Sequence, residues 1–277
     1  MENSAWVQGL FFGAVVMLGL YHALIFLSSG DRSYLYFSGL SLAMALIQAT
    51  LWGRSYQFLW PESPAWNDIA VSTLINTSSV FGALYIAKVV KICESHRWIN
   101  LAAMALAATS TVMAFLSLLL PYAEVIYPTL LLSMMTFLTC ATMVIVRMRR
   151  GYPPAFAVFV AGLMYTLGSA SYILGKLGVF NNSLLLDNAL ALGQLLQVLL
   201  FAFALSVRMA MDKELRERAQ RDTAHAQAML LETEREQNMR LDQEVKARTR
   251  ELREANARLE KISTTDSLTG LYNRRHF

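Results

Sequence analysis

Seven runs of mostly apolar residues, each long enough to cross a bilayer, follow one another along the first three quarters of the chain. They cover about 6–28, 34–53, 69–90, 98–119, 125–146, 155–176 and 189–209. A span needs about 20 such residues, and backbone groups in hydrocarbon must be satisfied within their own segment, so each run is predicted to be a helix. Helices apolar on every side also occur in the cores of large soluble proteins. Seven in close succession, joined mostly by short loops, point instead to a membrane bundle. The expected fold class is therefore all-α, a seven-helix transmembrane bundle. The first run is read as a retained span rather than a cleaved signal, because no basic segment precedes it and no small-residue cleavage site follows.

Charge divides the 277 residues into two chemistries. Up to Ala210 the sequence carries ten Lys/Arg and seven acids, and from Met211 on it carries fourteen and thirteen. Three of the four formal net positive charges thus belong to the apolar part, and nucleic-acid binding is not expected. With the N-terminus outside, Arg32, Lys88, Lys91, Arg97, Arg147, Arg149, Arg150 and Arg208 fall at inner ends or loops, and only Arg54 and Lys176 fall outside. That bias predicts a cytoplasmic C-terminal tail. Cys93 is expected at the inner face and Cys140 within a span, which leaves no structural disulfide.

The tail reads as one long helix from about Ala204 to Ser263, roughly 90 Å at 1.5 Å per residue. Leu215, Ala219, Asp222, Ala226, Met229 and Thr233 follow three-four spacing, and Leu241, Val245, Arg248, Leu252, Ala255, Leu259 and Ile262 resume it. The pattern predicts a parallel two-stranded coiled coil, hence a homodimer. Strict continuation past Thr233 would place Glu236, Arg240 and Gln243 in the seam, so the register shifts before Leu241, where a discontinuity unwinds the supercoil. The alternative is a solvated single helix held by i,i+4 ion pairs.

Polar groups within spans are the usual place to look for function. His22, Gln48, Asn76, Tyr165, Gln194 and Gln197 are such groups, and each also has the plain reading of a hydrogen bond to a neighbouring helix. Trp52, Arg54 and Trp60 lie where the aromatic-rich loop 54–68 begins, either as an interfacial belt or as the rim of an outer mouth. The candidate ligand pocket, for a small molecule or lipid, is His22, Gln48, Trp52, Arg54, Asn76 and Gln194. The small-residue runs 105–110 and 168–171 predict close helix packing. The last span contains no lysine for a retinal Schiff base, and no Asp or Glu lies midway along any span, which argues against an ion-coupled transporter.

The stretch 10–61 contains Gly13, Tyr21-His22, Asp31-Arg32, Tyr34, Tyr36, Gly53 and Trp60-Pro61. On these residues it resembles the membrane domain of bacterial seven-transmembrane receptors with diverse intracellular signalling modules. The resemblance covers about residues 10–210 and implies a multi-pass protein of the bacterial inner membrane. Family members usually carry an outer sensory domain before the first span, where this sequence has about five residues. The expectation is that sensing rests on the helices themselves, or that the chain begins inside a longer protein.

DSLTGLYNRR (266–275) closely resembles the entrance of GGDEF domains, which in active form are diguanylate cyclases joining two GTP into cyclic di-GMP. The resemblance implies that Asp266, Asn273 and Arg274 form the turn that locks such a domain to its input helix, and that Leu241, Val245, Leu252, Leu259 and Ile262 transmit the signal. It implies Mg2+ for the cyclase domain, whose metal-binding acids and GG(D/E)EF turn are expected beyond Phe277. No catalytic, metal or cofactor residue is expected within these 277. The domains are thus 1–210 sensory, 211–263 signalling coiled coil and 264–277 the start of a truncated GGDEF domain. Two alternatives remain: a non-catalytic GGDEF receptor that binds nucleotide or a protein partner, and a receptor histidine kinase. For the kinase, His225 within HAQAML lies too early and His276 has the wrong neighbours.

Overall fold

A computed structural model of the chain describes residues 2–94, 96–179 and 184–264. Among these the secondary structure is helical, without strands. The elements in chain order are α1 (Glu2–Ser29), α2 (Arg32–Leu51), the short α3 (Arg54–Phe58), α4 (Pro64–Val89), a 3-10 turn (Ile92–Glu94), α5 (Arg97–Leu116), α6 (Tyr122–Arg149), α7 (Pro153–Lys176), α8 (Leu184–Asp187) and α9 (Ala189–Thr264). Seven of them, α1, α2, α4, α5, α6, α7 and α9, are long and apolar enough to cross a membrane. They coincide with the seven apolar runs. The chain is a multi-pass membrane protein built as an all-α bundle.

Two compact units divide at Met211/Asp212. In the first, α2 packs on α1 and α4, α4 on α5 and α6, and α6 on α5 and α7. The core runs through Phe11, Val15, Phe37, Leu40, Tyr85, Val89, Met143, Val158, Val198, Phe201 and Leu205. Most other apolar side chains of this unit face outward, as Leu10, Leu27, Phe115 and Phe156 do. A soluble domain would bury them, whereas in a bilayer they meet lipid at no cost.

Helix ends are closed by local chemistry. Gly30, at φ 70°, ends α1, and the Asp31 carboxylate caps α2 by accepting from the Ser33 N–H at 2.8 Å. Pro64 and Pro153 open α4 and α7, where a missing N–H costs nothing. At the end of α4, Lys91 adopts a left-handed backbone at φ 51°. Carbonyls left over by that helix end are taken from elsewhere: Arg147 Nε donates to Val90 O at 2.7 Å, and the Tyr152 hydroxyl donates to Val89 O at 3.3 Å. The Arg147 guanidinium also lies 4.5 Å from the centre of the Tyr152 ring.

Small residues set the closest helix approaches. A Cβ on Gly168 of α7 would lie 2.6 Å from Ala189 O and 3.0 Å from Gly193 Cα, and one on Gly193 would lie 2.8 Å from Met164 O. The backbones of α7 and α9 touch there, so no larger residue fits without moving a helix. Ala107 and Ser110, in the other small-residue run, are likewise buried.

The second unit is the stretch of α9 from Asp212 to Thr264, about 80 Å long at 1.5 Å per residue. Nearly every described side chain along it is exposed, including Leu215, Met229, Leu241, Val245, Leu252 and Leu259. Ion pairs one turn apart line it, among them Lys246 with Asp242 at 2.6 Å, Arg218 with Glu214 at 2.5 Å and Arg250 with Glu254 at 3.3 Å. The Ile262 side chain and Asp266, Asn273 and Arg274, to which the sequence assigned a transmission role, lie outside the described residues.

Candidate functional site

The polar residues within the spans fall into three places. At the end of the bundle that carries Arg32, Lys88, Arg147 and Arg208, His22 is buried against Phe37, with ring centroids 4.2 Å apart, and lies 5.8 Å from Tyr34. Its Nδ1–H donates to Leu18 O at 2.8 Å, one turn back in α1. His22 is thus held as a packed core residue.

At the opposite end Trp52 meets Phe11 and Phe12 edge-on, each at 5.5 Å. Arg54 Nε donates to Gln8 Oε1 and Arg54 Nη1 to Gln57 Oε1, both at 3.0 Å. Trp60 contacts Trp66, and Trp60 Nε1–H donates to Asn67 at 3.4 Å. The arginine is engaged in orienting the start of α3 against α1.

Within the spans lie the buried amides, Asn76 midway along α4 and Gln48 one turn from the end of α2. Asn76 Nδ2 donates to Ser72 O and to Thr129 Oγ1, both at 2.9 Å, and so ties α4 to α6. Its Oδ1, together with Gln48 Oε1, Gln194 Oε1 and Gln197 Oε1, is buried with no hydrogen-bond partner. In a native protein each such atom calls for an explanation, and a bound molecule is one.

A cavity of about 590 Å3 lies between α2, α4, α6, α7 and α9. Gln194 and Gln197 line it, together with Tyr165 and Cys140. Cys140 is a free buried thiol, and Cys93 is free and exposed. Of the six residues proposed from sequence as a pocket, Gln194 lines this cavity. His22, Gln48, Trp52, Arg54 and Asn76 do not line it and are distributed among the sites just described. The four lining positions on α9, Leu190, Gln194, Gln197 and Phe201, are spaced by four, three and four residues and so form one stripe of that helix.

Two features escaped the sequence analysis. Tyr85, fully buried in α4, stacks on Phe201 with centroids 4.9 Å apart, and its hydroxyl donates to the Phe201 carbonyl at 2.5 Å. A lone tyrosine among small and aliphatic residues was the available signal. Arg208, also buried, donates to the Ser33 hydroxyl and stands 3.5 Å from Asp31. Burial pushes the Asp31 carboxyl up, but the Ser33 N–H and hydroxyl and the cations Arg208 and Lys88 outweigh it and hold the group below its usual range. The signal here was two opposite charges that the span count places at the same end of the bundle. Among the described residues, no group of three His, Cys, Asp or Glu side chains is placed to hold a metal ion.

A family model described as 7TM diverse intracellular signalling matches residues 4–208. That match spans all seven membrane helices up to Arg208. No curated protein and no solved structure matches the chain.

Proposed function

The chain belongs to the 7TM diverse intracellular signalling family, and from that premise we propose that it is the sensory and transmitting half of a dimeric diguanylate cyclase of the bacterial inner membrane. It is a seven-transmembrane sensor domain linked to intracellular signalling. The observation that carries the cyclase reading is helix α9. It starts with the cavity stripe 190–201, and the same helix continues through an exposed segment whose apolar positions repeat at heptad spacing.

The N-terminus lies outside and the segment 212–264 lies in the cytoplasm, where two copies pair in parallel through Leu241, Val245, Leu252, Leu259 and Ile262. One observation supports the pairing: the apolar stripe is left in water in a single chain, with Leu252 63% and Leu259 64% exposed. The register break before Leu241 gives the pair two arrangements of near-equal energy. Asp266, Asn273 and Arg274 then dock the GGDEF domain, to which DSLTGLYNRR corresponds. Forming cyclic di-GMP requires two bound GTP to face each other in line, with Mg2+ on their phosphates. A parallel coil that sets the facing of two domains controls output without touching the reacting atoms.

The test uses membranes from cells expressing the full reading frame that contains these residues, supplied with GTP and Mg2+. Cyclic di-GMP is expected to form, and Leu252→Asp is expected to lower its rate by at least about tenfold by opening the seam. Nucleotide binding without turnover would replace the cyclase with the non-catalytic receptor. Turnover undiminished in Leu252→Asp would remove the coil from the mechanism.

A further inference from the structure

We propose that the cavity between α2, α4, α6, α7 and α9 is a binding site for an uncharged amphiphile with an apolar chain and a hydroxyl-type head. The head's single O–H donates to the Oε1 of one of Gln194 and Gln197, and its oxygen accepts from the Nε2–H of the other. The size is right, since 590 Å3 falls within the range of about 300–1,000 Å3 of small-molecule sites. So is the shape. Its lining runs from Leu190 to Phe201 on α9, from Ile75 to Ile86 on α4 and from Leu130 to Cys140 on α6. Each stretch is about 15–17 Å at the helical rise, so the chamber lies lengthwise along the helices, as an extended chain would.

The wall chemistry fixes the head. Among the described lining residues none is charged, so a carboxylate, phosphate or ammonium group would be desolvated without a counter-charge. Gln194 and Gln197 are 3% and 8% exposed, and the Oε1 of each has no partner. The hydroxyls do not supply the missing proton. Ser78, Ser79, Ser133, Thr136, Thr166 and Ser169 all donate to carbonyls of their own helices, at 2.8–3.0 Å. The polar wall therefore offers two unpartnered Oε1 acceptors beside the Nε2–H donors of the same amides and the Tyr165 phenol. A hydroxyl head, which both donates and accepts, complements that set.

As the stimulus site, this deepens the receptor reading and rests on it; as a binding site it stands alone. A ligand on Gln194 and Gln197 touches α9 directly, on the stripe that ends at the Tyr85-held carbonyl of Phe201. The ligand chemistry has two sources, a resident neutral lipid of the bilayer or a diffusible long-chain alcohol.

The experiment is photolabelling of the full chain in nanodiscs by a diazirine-bearing dodecanol, mapped by mass spectrometry. Labelling is expected on the α9 stripe 190–201. Dodecanol should compete at least about tenfold better than methyl dodecanoate, which cannot donate, or dodecanoate at pH 8, which is charged. Gln194→Leu and Gln197→Leu should each reduce labelling about fivefold or more, while Gln48→Leu, which removes an equally unpartnered amide outside the cavity, leaves it unchanged. The competition order is read on the unsubstituted chain, so it holds even if a variant folds poorly. Lipid extraction of the purified protein separates the sources: a stoichiometric neutral hydroxyl lipid indicates the resident one, and none indicates the diffusible one. Equal competition by all three probes, or recovery of a charged phospholipid that protects the stripe from labelling, overturns the site. Labelling as expected but cyclic di-GMP output indifferent to dodecanol in the full reading frame would keep the site and reject the receptor reading built upon it.

Discussion

The described residues up to 211 and those from 212 to 264 are both built of helix, yet they solve opposite solvation problems. Around its core the bundle leaves many large apolar side chains outside and hides several polar ones: Gln48, Asn76, Gln194 and Arg208 are buried while Leu10, Leu27 and Phe156 are not. The second stretch puts charges and leucines alike in contact with solvent, as with Lys246, Asp242 and Leu241. Polarity inside the bundle is costly and therefore specific. Along the later helix polarity is cheap, and it is the exposed leucines that are costly.

The contrast predicts which substitutions matter. Val198→Asp places a carboxylate at a site only 1% exposed, with an expected loss beyond about 4 kcal/mol and little folded protein in the membrane. The same residue at exposed Leu230, outside the heptad stripe, should change stability by less than about 0.5 kcal/mol. Equal damage from the two, read as folded yield and melting temperature in nanodiscs, would erase the distinction between the regions.

Ion pairs sharpen it further. Arg208→Leu strips a buried cation from Asp31 and Ser33, their side chains at 7% and 23% exposure for the Arg208–Asp31 pair, and should cost about 2–4 kcal/mol. The effect has a pH signature. Because the folded state holds the Asp31 carboxyl below its ordinary value, its contribution is complete above the usual carboxylate range near about 4 and is lost as pH falls through the folded value. Asp31→Asn should therefore destabilise most at neutral pH and progressively less in acid; a penalty that grows on acidification would contradict the assignment. Smallest of all, Lys246→Ala breaks the 2.6 Å pair with exposed Asp242 and should cost no more than about 0.5 kcal/mol, less still in high salt.

How much of this was legible beforehand depends on whether a feature is local. The spans were, because length and hydropathy are properties of one segment, and so was the heptad stripe. The Gly168–Gly193 contact was half visible: the small-residue run marked α7 but not its partner on α9. Of the six pocket candidates Gln194 lies on the cavity, as do Gln197 and Tyr165 from the wider set of polar groups within spans. A polar residue inside a span signals itself, but whether it bonds its own helix, as His22 does through Leu18, or lines a chamber, as Gln194 does, depends on four other helices. Arg208 with Asp31 and Tyr85 with Phe201 join residues far apart in sequence, and no local pattern encodes such a pair.

The central claim is that helix α9 carries a change in the bundle to a paired cytoplasmic segment. Its most direct measurement is disulfide cross-linking in native membranes of single cysteines placed one at a time from Asp242 to Leu259, in a Cys93→Ser, Cys140→Ala background. The account predicts rapid cross-linking at Val245, Leu252 and Leu259 and slow cross-linking at Lys246 and Arg253, with a phase that shifts when dodecanol is added. Cross-linking with no heptad dependence, or none between chains, would contradict it.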